Sequence, residues 1–62
     1  MKVKFQQKIF DAYKANHDAV VKHGKYQYAI AYNAICTIHT WIIRRGIDGK
    51  WHWHEPLNEN VR

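Results

Sequence analysis

Apolar positions along the chain fall into two unequal patterns. Between Lys4 and His23, the residues Phe5, Ile9, Ala12, Tyr13, Ala19 and Val20 recur at steps of three and four, the spacing that lines up side chains on one face of a helix. Lys4, Gln7, Asp11, Lys14, Asp18 and Lys22 fill the opposite face. Lys14/Asp18 and Asp18/Lys22 are spaced for helical ion pairs worth about 0.2–0.5 kcal/mol each. A first helix is therefore expected over about residues 3–23, closed by Lys22, His23 and Gly24, because cations suit the negative pole of the helix and glycine can take the left-handed closing conformation. Asn16 interrupts the stripe, as a buried polar contact, a site for a partner's hydrogen bond, or a break with Asn16 as a new cap. A continuous helix is the expectation.

The second pattern, YAIAYNAICTIHTWII over residues 28–43, is apolar almost throughout. On a helical wheel at about 100° per residue, Tyr26, Asn33, Thr37, Thr40 and Arg44 form one narrow polar strip. Tyr28, Ala31, Ile35, Ile38 and Ile42 form the apolar centre, flanked by Ile30, Ala34 and Trp41 on one side and by Tyr32, Cys36 and Ile43 on the other. A second helix over about residues 26–45, closed by Arg44, Arg45 and Gly46, would carry an apolar arc of about 220°, against the roughly 100° or somewhat more of an ordinary surface helix. The short link at Gly24 would return it antiparallel to the first helix. The predicted fold is all-α: a two-helix hairpin with an extended aromatic tail over residues 46–62, dimerising into a four-helix core that covers the surplus apolar surface.

The tail opens with a turn at Asp48-Gly49 and continues Lys50-Trp51-His52-Trp53-His54-Glu55-Pro56. If extended, it sends both tryptophans one way and both histidines the other. Trp51 and Trp53 then either cap the exposed flank of the second helix or act as binding anchors. Pro56 ends any ladder, and LNENVR after it is polar enough to fray.

Sixty-two residues allow one domain with a marginal core, so stabilisation from outside is expected. A single cysteine, Cys36, excludes an internal disulfide and points to a reducing, cytoplasmic setting. The N-terminal segment lacks the apolar core of a secretory signal. The apolar run is shorter than the roughly 18–20 residues of a membrane span and is broken by polar residues, so no membrane partner is expected.

Candidate chemistry is sparse. Cys36 and His39 lie three apart and could pair as nucleophile and base, but flanking isoleucines would bury the thiol and no acid is placed to orient the imidazole. No enzyme activity and no cofactor are expected. His52 and His54, with Glu55 and either His39 or Cys36, could offer metal ligands, yet no second ligand pair at a recognisable spacing follows. Charge changes the picture more: the net charge is +5, and Lys4, Lys8, Lys22, Lys25, Arg44 and Arg45 could neutralise phosphates, with Trp51, Trp53 and Tyr26 as stacking platforms for RNA bases.

Two functions follow. The first is a small basic regulator or inhibitor that occupies a surface of a larger protein through Tyr32, Trp41, Arg44, Trp51 and Trp53, since aromatic and arginine side chains concentrate interface energy. Proteins by which viruses take over a host are built on this scale. The alternative is nucleic-acid binding through the lysine-rich face of the first helix and the tail aromatics.

Overall fold

The computed structural model describes residues 2–32 and 40–61. The N-terminal stripe forms a helix, α1 (Val3–Ala15). It ends well short of His23. Asn16 is its C-cap: the backbone has turned extended and its N–H donates to the Ala12 carbonyl, while its side-chain Oδ1 accepts the Asp18 N–H at 3.0 Å. Asparagine competes for local backbone hydrogen bonds, which favours such a stop. The Lys14/Asp18 and Asp18/Lys22 pairs therefore lose their helical spacing. Asp11 takes the pairing role instead, 3.3 Å from Lys14 and accepting from Gln7 at 2.8 Å.

Among the described residues, every regular element after α1 is a strand, which overturns the all-α hairpin. Strands β1 (Val21–His23), β2 (Tyr26–Tyr32), β3 (Thr40–Arg45) and β4 (Trp51–Pro56) form one antiparallel sheet in chain order. The expected second helix over residues 26–45 is replaced by β2 and β3, which pair from Gln27↔Arg45 to Tyr32↔Thr40. Both strands are rich in aromatic and β-branched residues, which suit a pleated surface. They read as a helix because both of their faces are apolar: Tyr28, Ile30 and Ile42 point inward while Ala29, Ala31, Trp41 and Ile43 point outward. A run with no polarity contrast shows no period of two, so strand and buried helix look alike. Among the described residues there is one helix, so the two-helix hairpin that would build a four-helix dimer core is absent.

The glycines expected to close helices shape hairpins instead. Gly24, at φ +61°, opens the two-residue turn between the paired His23 and Tyr26, and the absence of positive φ at Lys25 gives the type II′ pattern that matches strand twist. The β3–β4 loop is held by the Gly49 N–H donating to the Gly46 carbonyl at 3.1 Å, and it contains the turn expected at Asp48-Gly49. The ladder of β3 and β4 carries a bulge: Ile42 faces Glu55 and Ile43 faces Trp53, leaving His54 as the extra residue.

The core lies between α1 and the inward sheet face. Ile9, Tyr28, Ile30, Ile42, Leu57 and Val61 are buried, with Phe5, Phe10, Tyr13 and Val21 packed around them. Leu57 and Val61 correct the expectation of a fraying C-terminus. The Leu57 N–H donates to the Thr40 carbonyl at 2.8 Å, and the Asn58 N–H donates to Oε1 of the buried Gln6 at 2.7 Å.

Candidate functional site

The helix covers one face of the sheet, and the ladder registers lay out the other in three rows. Lys22, Gln27, Arg45 and Trp51 form the first, Ala29, Ile43 and Trp53 the second, and Ala31, Trp41 and Pro56 the third. Large apolar side chains here are incompletely covered: Trp53 is 65% exposed and Trp51 36%. Trp41 meets Trp53 edge to face, with ring centroids 5.8 Å apart. The small Ala29 and Ala31 leave the centre of the face flat. The exposed apolar surface of this face comes mainly from the tail tryptophans rather than from residues 28–43, of which 33–39 lie outside the described residues.

Cations gather at one end of this face. Arg45 is fixed there, its Nε donating to Gln27 Oε1 at 2.8 Å and its guanidinium 4.6 Å from the Trp51 ring centroid. Lys22, Lys25, Gln27, Arg45 and the glycines of the β3–β4 loop line a shallow crevice beside it. Among the described strand residues the only carboxylate is Glu55, and its ladder partner is the fully buried Ile42, so the outward rows hold none. Ile47 projects from the loop nearby, 97% exposed.

The structure brings together three of the five residues expected to bind a partner, Trp41, Trp51 and Trp53. Arg44 is on the opposite face, because neighbouring strand residues alternate; its guanidinium lies 4.3 Å from the Tyr26 ring centroid. Tyr26, expected as a stacking platform, is with it. Tyr32 belongs to β2, and its side chain lies outside the described residues, as do Cys36 and His39. Of the residues assigned to phosphate contacts, Lys22, Lys25 and Arg45 converge, whereas Lys4 and Lys8 are on α1. Gln27, Ala29, Ala31 and Ile43 were missed as members of the face, although the alternation expected in the tail would have located it had it been extended back into β2 and β3.

The two tail histidines do face together, as the alternation predicts, but they make different contacts. His52 Nε2 is 2.7 Å from Asp48 Oδ2, and the hydrogen bond holds the Asp48 carboxyl below its ordinary range, helped by the Lys50 N–H donating to Oδ1 at 3.1 Å. His54 packs edge to face on Tyr28 at 5.7 Å and lies 3.7 Å from Glu55. Among the described residues no three His, Cys, Asp or Glu side chains are grouped to hold a metal ion, and no helix is long and apolar enough to cross a membrane.

Comparison with known proteins finds no matching protein family, no similar curated protein and no similar solved structure.

Proposed function

We propose that this protein is a small non-enzymatic binding module that takes single-stranded nucleic acid across the open face of its sheet. The observation that carries this reading is the composition of that face: three tryptophans and two cations on its strands, with no carboxylate among its described residues. Bases stack on aromatic rings at about 1–3 kcal/mol each whatever their identity, while a basic margin follows the backbone phosphates. In this arrangement Trp53 and Trp51 receive bases and Arg45, Lys22 and Lys25 meet phosphates. The single cysteine supports a cytoplasmic place of work.

Titration of short single-stranded oligonucleotides, followed by quenching of tryptophan fluorescence, tests this. Neutralising three phosphates gives a slope of log affinity against log salt of about −2. Trp53→Ala should cost about 1–3 kcal/mol of binding with the fold intact, since the ring is mostly exposed. No binding at low salt, or an unchanged affinity in folded Trp53→Ala, removes the proposal.

A second reading keeps the same face and exchanges the partner for an acidic surface of a larger protein, making the molecule a regulator or inhibitor. Its support is the charge-free centre formed by Ala29, Ala31, Trp41 and Ile43, which resembles the core of a protein interface. A protein retained on the immobilised chain after nuclease treatment, and released by Trp53→Ala, would favour it.

A further inference from the structure

We infer that the protein carries a second binding site, for a small phosphate monoester, on the side of the sheet opposite the tryptophan face. A crevice of about 560 Å³ opens between the start of α1 and the sheet, lined by Lys2, Phe5, His23, Tyr28, Arg44 and His54. Every described element contributes to it: Phe5 from the first turn of α1, with Lys2 as its N-cap, His23 from β1, Tyr28 from β2, Arg44 from β3 and His54 from β4. Four of these six side chains are basic or can become cationic, and no carboxylate lines the crevice among the described residues; the Glu55 carboxylate nearby is engaged with His54.

The first turn of α1 adds to the same potential. It contains no acidic residue and no side chain caps it, so the positive end of the helix faces this region without internal compensation. Phe5 forms an apolar wall, 4.7 Å from the His23 ring and 5.1 Å from the Tyr28 ring. The volume is within the roughly 300–1,000 Å³ of small-molecule sites. A planar guanidinium and imidazoles are donors that suit phosphate oxygens, and the aromatic wall accommodates the organic part of an ester. His54, the extra residue of the β4 bulge, reaches Tyr28 on the inward side.

The test is a heteronuclear NMR titration of the whole chain with inorganic phosphate and, separately, phenyl phosphate, against equal ionic strength of sodium chloride. Saturable shifts centred on Phe5, His23 and His54, tighter for the ester, are expected. Arg44→Gln should weaken the affinity about tenfold or more, as loss of a charge-assisted bond does. Arg44→Lys should fall between the two, and Lys14→Gln on the last turn of α1 should change nothing. Shifts that grow linearly with concentration, that sodium chloride reproduces, or that centre on Lys22 and Lys25 overturn the proposal, as does an unaltered affinity in a folded Arg44→Gln variant.

Discussion

Asp48 organises the β3–β4 loop with both carboxylate oxygens, accepting the Lys50 N–H on one and meeting His52 Nε2 with the other. These contacts favour the charged form, His52 first, and lower the carboxyl below its ordinary value of 3.8. A group whose folded pKa is depressed stabilises the fold above its unfolded pKa, and that contribution disappears as pH falls through the folded value. Asp11 behaves alike, through Gln7 and Lys14. Asp48→Ala should therefore lower the thermal midpoint at about pH 7 and match the wild type near about pH 2. A deficit that persists in acid would locate the effect in the loop backbone rather than in the charge.

Among the elements, the β1–β2 hairpin depends on a single residue. Gly24 has positive φ and open space where a side chain would begin, with nothing within 4 Å of a Cβ, so substitution is penalised by backbone conformation alone. Gly24→Ala should cost about 1–2 kcal/mol and Gly24→Asn less, since asparagine tolerates this region. Scanning calorimetry should show a midpoint several degrees lower for Ala, at about 4–8 °C per kcal/mol in a domain of this size; equal midpoints for both variants would mean the turn has changed type. Element by element, the chain discloses its structure unevenly. Phe5, Ile9 and Tyr13 announce α1 because they recur every four residues while Lys4, Gln7, Asp11 and Lys14 fill the opposite face. Trp51 through His54 announce β4 because aromatic and imidazole side chains alternate. Between them, Tyr28 to Tyr32 and Thr40 to Ile43 conceal two strands, since Ala29, Ala31, Trp41 and Ile43 are as apolar as their buried neighbours. The candidate face was legible through its tryptophans, whereas the Arg44/Arg45 division between faces was not, because it follows from strand alternation that a helix would not impose. The bulge was invisible too. Regular pairing beyond Ile43 would place Glu55 opposite Trp41 on the outward face; the bulge turns it inward and keeps that face free of negative charge.

For the molecule as a whole, the sheet follows chain order, so each strand pairs with its sequence neighbour. Among the described residues the two ends meet across most of the chain, where Ile9 packs with Leu57 and Val61 and Gln6 accepts from Asn58, 52 positions away. Closing short loops costs little entropy and closing the longest costs most. Contacts of β2 with β3 should thus be formed in the folding transition state, and the clasp between α1 and the C-terminal segment should come after it. In stopped-flow chevrons, Ile42→Val should slow refolding, while Leu57→Ala, losing about 2–5 kcal/mol of buried contact, should act mainly by speeding unfolding. The reverse assignment would mean that the ends meet first. A sheet wound in this order makes the middle of the chain determine how fast the native state appears, and its two ends how long it lasts.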